Sequence, residues 1–368
     1  METASEHPPR TIRAVRPNGS CARRFRCGRI RLGNLRPRSA LLPWEVQAEQ
    51  LDHGRGTCAI RHWEKGVRRI LRKELKKALA SLTVRRLTDE KIHDARKRIK
   101  KARAALRLLR DALGNGVYTR ENAALRDVTR PLSQVRDSKV LLDTLRKLTE
   151  RFDQKCRGLA LDGLRRALNR ERRVLRREVL GRAAPLRPQI AALRKIHTRS
   201  SQWHVGQHDW PVIGRGLERV YRKGRAGLSE AATAGTPECF HEWRKQVKYL
   251  RHQLEFLAPV WPDVLRELAD QAHKLADELG DEHDLTVLRE KVQGYPDTLA
   301  NDASMLLALL DRRRLELRDA ALSRGRQLYE EKPHAFGMRL HGYWNNWHAA
   351  HARSHAAASQ RDGTLLHL

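Results

Sequence analysis

Apolar residues recur along this chain at intervals of three and four. From 92 to 109 the set is Ile92, Ala95, Ile99, Ala102, Leu106 and Leu109, spaced 3, 4, 3, 4, 3. From 240 to 257 the set Phe240, Trp243, Val247, Leu250, Leu254 and Leu257 repeats that spacing. At about 100° per residue each set closes into a single stripe about 100° wide, the mark of a helix buried along one side. The same period predicts helices near 62–82, 88–113, 118–130, 133–151, 158–181, 211–232, 237–257, 262–280, 282–292 and 303–331. Thr88 with Lys91, and Thr236 followed by Pro237, read as helix starts. Gly114-Asn115-Gly116 and Pro131 read as stops. Residues 182–210, with Pro185, Pro188 and Gly206, read as a crossover between two runs of helices. No segment alternates with period two and β-branched residues, so the fold class is all-α.

The polar positions repeat as well. Residues 93–109, HDARKRIKKARAALRLL, align with 241–257, HEWRKQVKYLRHQLEFL, at an offset of 148. Seven of seventeen positions are identical: His93/His241, Arg96/Arg244, Lys97/Lys245, Lys100/Lys248, Arg103/Arg251, Leu106/Leu254 and Leu109/Leu257. Packing accounts for repeated leucines but not for repeated cations. On the wheel, Arg96, Lys97, Lys100, Arg103 and Arg107 fall within about 120° of His93, beside the apolar stripe. Like charges at i, i+3 and i+4 repel by a few tenths of a kcal/mol per pair, so rows with almost no acid in the arc point to an anion held against them. LSQVRDSKVLL (132–142) and LGDEHDLTVLR (279–289) also match, at an offset of 147, and VRRILRK (67–73) matches LERVYRK (217–223) more weakly. Three blocks in one order imply an internal duplication of about 150 residues.

Charge narrows the partner. The 368 residues hold 75 Lys plus Arg against 43 Asp plus Glu, a formal charge of +32. That predicts a polyanion: polyphosphate, nucleic acid or an anionic membrane surface. Two halves of this length can each bury a core. No apolar run approaches a membrane span, and the stretch Met305 to Leu310 is far too short. Residues 1–56, with Pro8, Pro9, Pro17, Pro37 and Pro43, read as a disordered basic arm or a mis-assigned start. The prolines oppose the amphipathic helix of a transit peptide. The lack of an apolar leader and five cysteines without a paired framework (Cys21, Cys27, Cys58, Cys156, Cys239) fit a reducing cytoplasm, and arginine-heavy usage fits a bacterial source.

The paired H-x-x-R-K/R-x-x-K-x-x-R helices, each followed by R/H-D-x-x-V-L, resemble the CHAD domain family, the histidine-bearing α-helical domain. The ending KPHAFGMRLHGYWNNW (332–347) resembles that family's last segment. The resemblance covers about 60–348, without the E-x-E-x-K signature of the CYTH domain that often accompanies it. It implies two pseudo-symmetric antiparallel bundles of long helices about a basic central groove, with a first half near 57–182 and a second near 208–348. It implies inorganic polyphosphate as the ligand, possession of no cofactor, and a role at polyphosphate granules. The site expected on that basis is His93, Arg96, Lys97, Lys100, Arg103, Arg107, His241, Arg244, Lys245, Lys248 and Arg251. Arg69, Arg72, Arg219 and Arg222 from the preceding helices are added to it.

Other readings stand beside this one. A nucleoid-associated nucleic-acid binder explains the charge but not the duplicated helix, and an aromatic share of 5% offers few stacking platforms. At low salt any chain so basic binds nucleic acid non-specifically. The His-Asp pairs at 93–94 and 283–284 invite a metal-dependent phosphohydrolase, but the cations oppose a divalent metal, and Arg136 stands where a counterpart of His283 would be. No Walker A loop, G-x-G-x-x-G, nucleophile elbow or C-x-x-C occurs, so the chain reads as a binding protein rather than an enzyme. Asp137 and Asp284 are read in the first turn of a helix, favoured by its dipole and pairing with a row arginine. Arg165, Arg166, Arg170, Arg172, Arg173, Arg176 and Arg177 either extend the anion surface or form an outer face. His341, His348, His351 and His355 form a tail cluster, the last three spaced 3 and 4 residues apart so that a helix aligns them, read as an incidental polar tail with a metal site as the alternative; the tail proper is 349–368, and Trp344 and Trp347 cap a core.

Overall fold

The structure, a computed structural model, describes residues 63–181, 186–203, 210–295 and 302–364, all within one compact unit, His53–Leu368. The 1–56 arm and His355 of the tail lie outside the residues whose side chains are described. Eleven α-helices and no strand occur among the described residues. In chain order they are α1 (Trp63–Leu82), α2 (Asp89–Leu108), α3 (Arg110–Arg151), α4 (Asp153–Cys156) and α5 (Asp162–Leu180). After these come α6 (Arg187–Arg199), α7 (Trp210–Ala234), α8 (Pro237–Leu257), α9 (Pro262–Gln293), α10 (Ala303–Leu328) and α11 (Pro333–Thr364). The two predicted starts are real caps. Thr88 Oγ1 accepts from Lys91 N at 3.4 Å, and Thr236 Oγ1 accepts from Cys239 N at 3.3 Å.

The pairing order is the same in both runs of helices. α1 packs on α2, α2 on α3 and α3 on α5; α7 packs on α8, α8 on α9 and α9 on α10. The runs then join through like elements, α2 against α8 and α3 against α9. The apolar residues form two clusters, and both draw on both runs. The larger holds the stripes of α1, α2, α7 and α8, with the near ends of α3 and α9. The smaller holds Leu141, Leu145 and Leu148 of α3, Leu164 and Leu168 of α5, Leu285, Leu288 and Val292 of α9, and Leu306 and Leu310 of α10. The expectation of one core per half gives way to two shared cores, because α2 packs on α8 and α3 on α9, which brings apolar residues of both runs together.

Several elements differ from the sequence reading: α11 and the short α4 are not among the expected helices, and α2 ends at Leu108 rather than at 113. Pro131 does not end a helix; α3 runs through it. Proline removes one intrahelical donor, and packing against α2 and α9 outweighs that loss. The break expected near residue 281 is likewise absent, and α9 continues from Pro262 to Gln293. The crossover contains a helix of its own, α6, which packs on α1 and α3. Gly114 does interrupt its helix, at φ 74° and ψ 157°, a conformation that favours glycine.

α7 lies close enough to α2 to need glycine. A Cβ on Gly216 would stand 2.7 Å from the Leu108 carbonyl oxygen and 2.8 Å from that of Arg107. Backbone cannot give way as a side-chain tip can. Gly216→Ala is therefore expected to destabilise by about 1–3 kcal/mol, although alanine is the better helix former by about 1 kcal/mol. Gly116→Ala, where nothing lies within 4 Å of the added carbon, is expected to stabilise by up to about 1 kcal/mol. Urea denaturation of both variants checks the opposite signs.

Candidate functional site

The cations of α2 and α8 meet where the two helices cross, in the polar layer between the two apolar clusters. Along α3 that layer is Arg136 and Asp137, with Val135 in the larger cluster and Leu141 in the smaller. Along α9 it is Glu282, His283 and Asp284, between Leu279 and Leu285. The register that buries the leucines thus sets these polar residues against Arg96, Lys100, Arg244 and Lys248. Other contacts fix the crossing. Gln253 Nε2 donates to the Ala104 carbonyl at 3.3 Å, Lys101 pairs with Glu255 at 2.9 Å, and the Arg107 guanidinium lies 3.7 Å from the centre of the Tyr249 ring.

The matched arginines are used differently. Arg96 is 7% exposed, and its Nη1 donates to the carbonyls of Leu132 (3.2 Å) and Ser133 (3.0 Å) and to Asp137 (3.4 Å). It clasps α3 just past Pro131, so the free, surface-facing position expected for it off the apolar stripe is corrected. Its neighbour Arg136 sits 3.3 Å from Asp137 and 3.7 Å from Asp284. Arg244 has no such clasp. Its Nε is buried without a hydrogen-bond partner, and so is Nδ1 of His241. Gly280 leaves room beside this guanidinium, since even an added Cβ there would stand 3.7 Å from Arg244 Nη2.

Lys100 and Lys248 form no ion pair with a carboxylate within 4.0 Å among the described residues. Both keep partial contact with solvent but lie in dense surroundings. Burial first, then Arg96, Arg244 and Arg136, push the Lys100 ammonium down to about 7, against an ordinary value of 10.5. Burial, Arg244 and Lys100 hold Lys248 well below that ordinary value too. Burial also disfavours charge on Arg244, and it raises Asp284 despite the cations around it.

The histidines sit at the edge of this field. His241 and His283 lie with ring centres 4.5 Å apart. Burial, Arg244 and His241 take His283 down to about 3, and burial with Lys245 and Arg244 lowers His241. His93 is lowered by burial and by Arg136. Without a bound anion all three favour the neutral ring.

The remaining expected residues divide. Lys97 is half-buried beside Lys101 and Arg251, and its charge is disfavoured mainly by burial. Arg103 and Arg107 both donate to Asn122 Oδ1 at 3.2 Å. Arg251 pairs with Glu255 at 2.9 Å, and Lys245 pairs with Glu242. Arg219 holds Asp111 at 2.6 Å, Arg222 pairs with Glu218, and Arg72 donates to the His197 carbonyl at 2.7 Å. Arg69 is exposed on α1 and lines a separate cleft. Asp137 and Asp284 lie in mid-helix rather than in a first turn, which corrects the dipole argument for them. On α5, Arg172 and Arg176 pair with Asp89 while Arg166, Arg170, Arg173 and Arg177 are exposed. In the last helix Trp344 is buried and His341 stacks on Trp210 at 5.4 Å. No group of three or more His, Cys, Asp or Glu side chains that could hold a metal occurs among the described residues.

Sequence reasoning left Arg136 outside the site. Its place opposite His283 in the second repeated block was the available signal, and only the packing of α3 against α9 makes it a neighbour of both rows. No helix among the described residues is long and apolar enough to cross a membrane.

Crowded cations carry a stability signature. A lysine depressed in the folded state binds fewer protons there than when unfolded, so stability rises with pH between about 7 and the ordinary 10.5. The slope contributed by each lysine is at most about 1.4 kcal/mol per pH unit. Lys100→Met with Lys248→Met should flatten that rise and stabilise the protein at pH 7. Arg96→Met should instead destabilise it by about 1–3 kcal/mol, through its lost hydrogen bonds. Urea denaturation across this pH range checks each sign.

Comparison with known proteins bears on the same segment. No curated protein matches the chain. A family model described as CHAD domain matches residues 67–293, which takes in most of α1, all of α2 to α8 and the whole of α9, hence every cation of the crossing. With well over half of its length matched, the chain belongs to the CHAD domain family.

Proposed function

We propose that the chain binds inorganic polyphosphate at the α2–α8 crossing, performs no chemistry on it, and thereby organises or is targeted to polyphosphate granules. The observation that carries this reading is the set Lys100, Arg244 and Lys248, gathered without ion-pairing carboxylates and with Arg244 Nε unpartnered. Buried or half-buried cations are normally paired. A phosphate chain supplies the missing charge, with arginine offering a bidentate fork and lysine a mobile point charge. Membership of the CHAD family supports the same ligand.

The nucleic-acid reading rests on net charge alone. A duplex is a wide, stiff rod, whereas a polyphosphate chain is thin enough to reach the floor of a concave site. The hydrolase reading rests on the His-Asp pairs His93-Asp94 and His283-Asp284, and both histidines have strongly cationic surroundings.

In competition at about 150 mM salt, long-chain polyphosphate should outbind duplex DNA by at least about tenfold per site. The log–log salt slope should be roughly −4 to −7, from six to ten phosphates at about −0.7 each; a slope flatter than about −2 would sink the extended site. Deleting residues 1–56 should weaken DNA binding more than polyphosphate binding. Affinity should be constant below pH 7 and fall above it, because the bound anion needs Lys100 charged and the free protein releases that proton near 7. Incubation with Mg²⁺ or Mn²⁺ should release no phosphate; release that disappears in His283→Ala would replace this reading with the hydrolase.

A further inference from the structure

α1 and α6 flank an open cationic cleft away from the crossing. It has a volume of about 630 Å³ and is lined by Arg68, Arg69, Arg72, Lys73, Lys76 and His197, with no acid among them. Five of the six lie on α1, at positions that share one face of a helix.

The six side chains play two parts. Arg68 donates to the Trp203 carbonyl at 2.8 Å, and Arg72 donates to the His197 carbonyl at 2.7 Å and Ser200 Oγ at 3.1 Å. Arg72 ties α1 to the last turn of α6, at a carbonyl that a helix end leaves open. Arg68 ties it to the segment just beyond that helix. Arg69, Lys73 and Lys76 are exposed and form no hydrogen bond or ion pair among the described residues. At i, i+4 and i+7 they run along the cleft for about 10 Å, at 1.5 Å per residue. The positive field is felt by His197, whose protonation is disfavoured first by burial and then by Arg72 and Lys76.

Being unpaired does not by itself mark a site in so basic a chain: Arg146, Arg157 and Arg222 find an acid, but exposed Arg173 and Arg177 of α5 do not among the described residues. What sets Arg69, Lys73 and Lys76 apart is that three unpaired cations line one cleft with no acid in its lining. The volume is in the range of small-ligand sites.

We propose that the α1–α6 cleft is a second anion site, separate from the α2–α8 crossing, that takes a compact oligophosphate of triphosphate size. The free cations Arg69, Lys73 and Lys76 bind the phosphate oxygens, and Arg68 and Arg72 hold the cleft open. The site stands whether or not the crossing binds polyphosphate.

Titration calorimetry with inorganic tripolyphosphate at about 150 mM salt tests it. The readout is the number and strength of sites in the wild type, in Arg69→Ala/Lys73→Ala/Lys76→Ala, and in Lys100→Met/Lys248→Met. The α1 variant, whose three side chains are exposed, should keep its melting temperature and lose one class of site, weakened at least tenfold. The crossing variant should keep that same class. A titration of the α1 variant indistinguishable from wild type would overturn the proposal. So would equal displacement by sulfate at matched ionic strength, which marks diffuse charge attraction only. Loss of all binding in the crossing variant alone would place every phosphate at the crossing and overturn the second site while leaving the first intact.

Discussion

The structure turns on a repulsion. Lys100, Lys248, Arg96, Arg244 and Arg136 are brought together at one helix crossing, and Asp137, Asp284 and Glu282 offset them only in part. Those few ion pairs do not account for the assembly. The leucines on either side of it do, because α3 and α9 bury residues in both apolar clusters, and the segment between the clusters has nowhere else to go. Each fully buried leucine contributes about 1.5–3 kcal/mol, so a dozen of them readily outweigh a few depressed lysines. The free energy of the apolar clusters is what keeps the cations close and short of partners.

The buried acids of the chain show no such imbalance. Glu121 is fully buried, and both its oxygens are taken by Arg199, one of them also by Arg120. Glu282 is held by Arg318 and Arg314, and Glu255 by Lys101, Arg251 and His252. Buried acids are compensated, as desolvation requires. The uncompensated cations of the crossing stand out against that practice, which is why a ligand rather than solubility is the better account of them.

Two runs of helices built from matching blocks do not make two matching sites. Arg96 is consumed by the backbone carbonyls of Leu132 and Ser133, while Arg244 is left with an unpartnered Nε. Arg136 reaches both rows, whereas its counterpart His283 lies against His241. The ligand-ready cations are therefore concentrated on the α8 side, with Lys100 reaching across from α2.

The 3–4 spacing of apolar residues determined the helices, and the repeated cations picked out α2 and α8, because both signals are local and depend only on helix geometry. Thr88 and Thr236 marked helix starts for the same reason. What the sequence could not determine was which polar residues become neighbours. The continuity of α3 through Pro131, the clasp by Arg96 and the arrival of Arg136 beside the crossing all depend on contacts between residues far apart in the chain. Arg69 and Arg72 matched Arg219 and Arg222 in sequence, yet α6 turned the first pair to a different cleft and Asp111 and Glu218 occupied the second. A helical period fixes the face a side chain occupies; only packing decides what that face meets.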